Sequence, residues 1–157
     1  MDQMDFQKIK SKLENFCAYQ ERSIYEVEKK LNSLTAIHED KKRIVSHLIQ
    51  NNFLNQDRFV ETYVSSKVNQ KRWGKEKIRV GLIQHKIPKI NIDQAINNIP
   101  EKTYQNNLLI LAEKKTLSIK KEEELYLKKA KLMRFLYSKG YKPSEWEKID
   151  FNTLFIR

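Results

Sequence analysis

The sequence predicts an all-α protein of three tandem three-helix repeats, and three observations predict it. Its 157 residues hold only three Gly and three Pro, too few for the many turns of an all-β chain. Apolar residues recur at three- and four-residue steps along the whole length, the spacing of one helix face. One apolar pair also returns: Val27/Leu31, Ile78/Leu82 and Leu132/Leu136, with 51 residues from Leu31 to Leu82 and 54 from Leu82 to Leu136. Five residues beyond each second Leu stands Ala36, Ile87 or Tyr141. The expected divisions are 1–55 (an N-terminal extension and first repeat), 56–100 and 101–157, each unit burying a face against the next.

Phe6, Ile9, Leu13 and Phe16 open the chain with an amphipathic helix, where Cys17 is a small residue at a helix interface. Ser23, followed three residues later by Glu26, forms a capping box that starts a second helix with Val27, Leu31 and Leu34 inward. A third, from about Asp40 to Asn51, buries Ile44, Val45 and Leu48, and Phe53 and Leu54 pack beyond it. The fourth spans 55–73 with Phe59, Val60, Tyr63, Val64 and Val68 as its apolar side. Gly74 breaks it and a fifth starts at Lys75, placing Ile78, Leu82 and Ile83 inward and stopping at Pro88. A sixth buries Ile92, Ala95, Ile96 and Ile99 before Pro100. Residues 101–115 and 120–140 form two more, and the tail from Pro143 holds a last short helix anchored by Trp146, Ile149 and Phe151.

No catalytic constellation is visible. His38, His47 and His85 stand far apart without an H-x3-H pair, and no Gly-rich loop ends in Lys-Ser/Thr. The three glutamates at 122–124 point in three directions on a helix and suit its N-terminal end better than a cation site. The chain is therefore expected not to be an enzyme, to need no metal or cofactor, and to act as a monomer. A single Cys, no signal-peptide block and no run of about 18 apolar residues fit a cytoplasmic protein without a membrane anchor.

What remains is charge. Lys and Arg number 31 against 20 Asp and Glu, a net charge of +11 that favours polyanionic partners. From Lys67 to Lys89 eight basic residues face one acid, Glu76, a local surplus of +7. Lys75 and Arg79, four residues apart, share a helix side, and Lys71 and Arg72 end the helix before it. Either a binding patch or a solvated face has this composition. Trp73 beside Gly74 suits a sealed inter-helix corner more than base stacking, and Lys77 is expected on the far, exposed side.

Four stretches, "RSIYEVEKKL" (22–31), "LNQDRFVETYV" (54–64), "WGKEKIRVGLIQHKI" (73–87) and "LMRFLYSKGY" (132–141), resemble the RecX proteins, bacterial regulators of the RecA recombinase, in order and spacing. The resemblance spans about 17–150 and implies three three-helix repeats in an elongated, curved molecule lying along the RecA–DNA filament. It implies control, chiefly inhibition, of filament extension, ATP hydrolysis and strand exchange. Asp57, Arg58, Phe59 and Tyr63 match the signature opening the middle repeat; Trp73, Gly74, Ile78, Arg79 and Leu82 match its second helix, and Gly140 the glycine closing that helix in the last repeat. Thr35 and Lys86 replace that glycine in the first two repeats. On this basis Lys71, Arg72, Lys75 and Arg79 are expected to meet the filament, with Lys128, Lys131 and Arg134 extending the footprint. Naked DNA is expected to bind weakly and without sequence preference. A helical DNA-binding protein acting without a recombinase, or an adaptor for another acidic protein, stays open.

Overall fold

The computed structural model describes residues 3–35 and 37–156. Among them ten helices and no strand occur: α1 (Gln3–Tyr19), α2 (Ile24–Leu34), α3 (His38–Gln50), α4 (Gln56–Asn69), α5 (Lys75–Gln84), α6 (Lys89–Asn97), α7 (Glu101–Ser118), α8 (Leu125–Ser138), α9 (Pro143–Trp146) and α10 (Phe151–Leu154). The first nine fall into three successive triplets. The middle helix of each, α2, α5 and α8, carries the recurring pair, and Val27, Leu31, Ile78, Leu82, Leu132 and Leu136 are all 0 % exposed. Ile87 and Tyr141 are buried past the ends of α5 and α8, while Ala36 lies outside the described residues. The chain divides into two units, with cuts inside α4 and near the end of α5.

The first unit runs to Tyr63 and includes Gln84–Ile87. Phe6, Ile9, Leu13 and Cys17 of α1 pack with Val27, Leu31, Ile44, Leu48 and Leu54 into one core. Burial pushes the Cys17 thiol up to about 11, so it stays protonated at neutral pH. Ser23 caps α2 through the Glu26 amide, and the Glu26 carboxylate returns to the Ser23 amide, the box read from the sequence. Helix α3 starts at His38, ahead of Asp40, and closes at Asn52, whose φ of 63° is tolerable for an Asn. There the Arg58 guanidinium binds the Asn52 and Phe53 carbonyls while pairing with Glu21 at 2.5 Å. Arg58 is thus a staple between three segments.

The second unit holds residues 64–83 and 88–156 of the described chain. Ile78, Leu82, Ile92, Tyr104, Leu108, Ala112, Leu132, Leu136 and Tyr141 form its most deeply buried part. Buried Asn107 donates to the Val68 carbonyl at 2.9 Å, closing the end of α4.

Five expectations are corrected. Helix α4 ends at Asn69 and not at Trp73, so Lys71 and Arg72 lie in the connection to α5, where Arg72 is left-handed at φ 54°. Ile83 is 55 % exposed, because the short α5 turns only Ile78, Gly81 and Leu82 inward. Pro88 does not stop α5, which has already ended at Gln84. Its fixed φ of −60° instead sets the cap of α6, as Pro100 does for α7. Helix α8 starts only at Leu125, leaving Glu124 as its cap, and the C-terminal tail makes two single turns, α9 and α10.

The two glycine replacements behave differently. Lys86 takes the left-handed conformation itself, at φ 59°, whereas Thr35 ends α2 in an extended one, at φ −154°. Lys86 therefore carries the steric penalty that glycine avoids, about 1–2 kcal/mol. Lys86→Gly should recover it, less about 0.5–1 kcal/mol of added chain entropy. The expected outcome is a thermal midpoint unchanged or higher by up to about 6 °C, with Lys86→Val clearly lower, both read by circular dichroism. Leu82→Ala should cost about 2–5 kcal/mol. Trp73 and Trp146 both lie in the second unit, so their emission during urea unfolding measures that loss.

Candidate partner-binding surface

The basic stretch is positioned by main-chain contact. A helix start leaves its first N–H groups without intrahelical partners. At α5 the Gly74 amide donates to the Lys139 carbonyl (2.6 Å), the Lys75 amide to the Tyr104 hydroxyl (2.9 Å) and the Glu76 amide to the Gly140 carbonyl (3.1 Å). The Tyr141 hydroxyl donates back to the Arg72 carbonyl at 2.8 Å. A Cβ on Gly74 would stand 2.3 Å from the Gly140 carbonyl, so only glycine lets the two backbone segments meet. Gly140, at φ 99°, needs glycine for its conformation too. Burial raises the pKa of both Tyr104 and Tyr141, which keeps the two hydroxyls protonated.

Around this joint the expected patch separates into engaged and outward cations. Arg79 pairs with Asp93 at 2.6 Å and approaches Glu76 at 4.0 Å. Lys75 lies 4.0 Å from Glu101, with its ammonium over the Tyr104 ring. Lys89 and Arg79 together hold the Asp93 carboxyl below its ordinary pKa. Glu76 also receives Lys142 at 3.2 Å. Lys71 is exposed and Arg72 half-buried at a left-handed φ of 54°, just ahead of the joint. Trp73 lies between the Lys67 and Lys77 ammonium groups, each 4.6 Å from its ring. Lys77 is therefore no far-side residue: its backbone and Cβ border Gly140, and its charge covers the indole.

Local sequence counting misses Asp93 and Glu101 because they come from the next two helices. It also misses Tyr104 and Tyr141 as polar partners, since their aromatic character marks them only as core. In α8, Lys131 pairs with Glu123, Lys128 stands over the Phe155 ring, and Arg134 is exposed. Of the motif residues in the first unit, Phe59 and Tyr63 flank the His85 ring at 4.8 and 5.6 Å, and Asp57 is exposed. His85 Nδ1 reaches Ser23 Oγ at 2.9 Å and Glu26 at 3.6 Å. Ser23 is wholly buried and occupied as a cap, so the trio is a joint and not a nucleophile. No group of three or more His, Cys, Asp or Glu able to hold a metal occurs among the described residues. Nor is any helix among them long and apolar enough to cross a membrane.

Two family models match in series: the second three-helix domain of RecX over residues 55–96 and the third over 103–145. The regulatory protein RecX of Clostridium botulinum strain Eklund 17B is 36 % identical over 118 residues, 74 % of this chain and 54 % of the relative. That of Clostridium tetani is 36 % identical over 122 residues, 77 % of this chain and 54 % of the relative. The chain thus spans about half the length of the curated relatives it matches. The crystal structure of RecX from Lactobacillus salivarius superposes with a TM-score of 0.78 at 25 % identity, covering 96 % of this chain and 94 % of that one. A second RecX crystal structure gives 0.80 at 23 % identity, over 92 % and 71 %, and is similar in fold.

The joint gives a direct test. Gly74→Ala should cost about 3 kcal/mol, because its methyl meets carbonyl backbone that has nowhere to move. Tyr141→Phe keeps the ring but leaves the Arg72 carbonyl unpaired, an expected loss of about 1–3 kcal/mol. Tryptophan emission during urea unfolding measures both.

Proposed function

Because the chain belongs to the RecX family, we propose that it regulates the RecA recombinase by binding the RecA–DNA filament and restraining its extension, ATP hydrolysis and strand exchange. The observation that carries this reading is the match to two RecX domains in succession, each with its middle-helix pair buried. It acts by occupying a surface, without chemistry of its own and as a monomer. The cations available to the filament in the middle repeat are Lys71 and Arg72, backed by the Trp73 cluster. Lys75 and Arg79 mainly hold α5 to Glu101 and Asp93. In the last repeat Arg134 adds to the same footprint, with Lys128 and Lys131 beside it.

The exposed Lys71 and half-buried Arg72 beside Trp73 also support weak contact with single-stranded DNA, by phosphate neutralisation, since Lys67 and Lys77 already cover the indole. Such contact depends steeply on salt and carries no sequence preference.

The experiment compares two charge-reversal pairs in DNA-dependent ATP hydrolysis by RecA. Lys71→Glu/Arg72→Glu should weaken regulation at least tenfold while the protein melts like wild type. Lys75→Glu/Arg79→Glu should instead lower the melting temperature, since each Glu would face an acid already in place. Full regulation by the first pair would exclude the middle-repeat patch as the contact. A wild-type chain without effect on RecA filaments would reject the function itself.

A further inference from the structure

Helix α8 buries Leu132 and Leu136 on one side and presents a second apolar stripe on the other. Tyr126, Ala130, Met133 and Tyr137 follow one another at steps of four, three and four residues, which aligns them on one face. Tyr126 and Tyr137 are each 69 % exposed and Met133 39 %. The helix carries four cations, Lys128, Lys129, Lys131 and Arg134, and no carboxylate. Arg134 borders the stripe, exposed and without an ion pair among the described residues; Lys129 borders it on the other side, within electrostatic reach of Asp150.

The repeats supply an internal control. One repeat interval of 54 residues earlier, the same four positions, on and just ahead of α5, are Arg72, Glu76, Arg79 and Ile83. A further 51 residues earlier, on and just ahead of α2, they are Glu21, Tyr25, Glu28 and Asn32. Two of the three middle helices thus keep this face largely charged or polar and fold with it. The apolar stripe of α8 is not something the repeat needs.

We infer that the Tyr126–Met133–Tyr137 face of α8 is a docking site for an acidic amphipathic helix of a protein partner. This rests on the recombinase reading, and it names the chemistry that the recombinase must present. The two tyrosines stand about 16 Å apart along the helix axis, eleven residues at the helical rise. Stacked bases follow each other at a few ångströms, and the space between these rings is filled by Ala130 and Met133, which offer no π face. A continuous apolar strip of three turns is what a second helix covers. Its borders are cationic, so the complementary helix carries Asp or Glu beside its apolar residues.

The test uses the full chain with Tyr126→Gln, Met133→Gln and Tyr137→Gln together, glutamine being an adequate helix former at exposed sites. Melting like wild type establishes that the fold is intact; if it does not, Tyr126→Gln/Tyr137→Gln replaces the triple variant. Affinity for RecA filaments on single-stranded DNA should fall at least tenfold, and Arg134→Glu should lower it several-fold while flattening its salt dependence. Wild-type affinity in the stripe variant overturns the inference and leaves the proposed function standing, whereas failure of the wild-type chain to bind filaments rejects both. Loss of oligo(dT) binding, or of self-association in sedimentation, with filament affinity unchanged would assign the stripe to nucleic acid or to a second copy and overturn the inference. Undiminished binding by Arg134→Glu would exclude an acidic occupant.

Discussion

The contact of Gly74 with the end of α8 is the constraint on which the second unit depends. Three N–H groups at the start of α5 find acceptors in the Lys139 carbonyl, the Tyr104 hydroxyl and the Gly140 carbonyl. With those bonds made, Ile78 and Leu82 fall into the core, and Arg72 and Trp73 are fixed immediately upstream. The basic stretch is therefore held on a rigid element and not displayed on a loose arm. In the first unit a side-chain joint plays a comparable part, where Ser23, which caps α2, meets His85 past the end of α5. In each unit the beginning of one middle helix is tied to the end of the next.

Much of the fold is legible in the sequence because its signals are local. The capping box at Ser23 and Glu26 and the spacing of the three buried pairs each need only a few neighbouring residues, whereas α4 ends at Asn69, ahead of the Gly74 expected to break it. The departures have physical causes as well. A three- and four-residue pattern turns Ile83 inward because it has no knowledge of where a helix narrows against its neighbours; α5 has room for one narrow apolar edge and its last isoleucine stays outside. Pro88 reads as a terminator, although proline is equally suited to the residue ahead of a helix. A run of glutamates with high helix propensity misplaces the start of α8; of these, Glu123 serves Lys131 and Glu124 the cap.

The candidate surface is legible in its sign and not in its detail. A surplus of cations over 67–89 is visible without structure, but Arg79 pairs closely with Asp93 of α6 and Lys75 comes within 4.0 Å of Glu101 of α7. Pairing between helices redistributes charge that a linear count treats as free. The exposed stripe of α8 is hidden for the opposite reason. Tyr126, Met133 and Tyr137 look like core residues in a helix with apolar positions on both sides, and only burial distinguishes the side that faces the interior.

The joint at Gly74 and Gly140 is written largely in main-chain atoms. Peptide groups are the same whatever side chains they carry, so these two repeats recognise one another by the absence of bulk and the hand of the turn. Among the described residues, the Tyr104 and Tyr141 hydroxyls are the only side-chain groups in the joint's hydrogen bonds. Repeats joined in this way are free to change their outer surfaces almost independently, one becoming charged and another aromatic, while their mutual seating is preserved. Such a chain is modular: a middle repeat taken from a relative would fit here if it offered a glycine at the helix start and, at the helix end, a left-handed turn with a histidine to meet Ser23, and its surface would come with it.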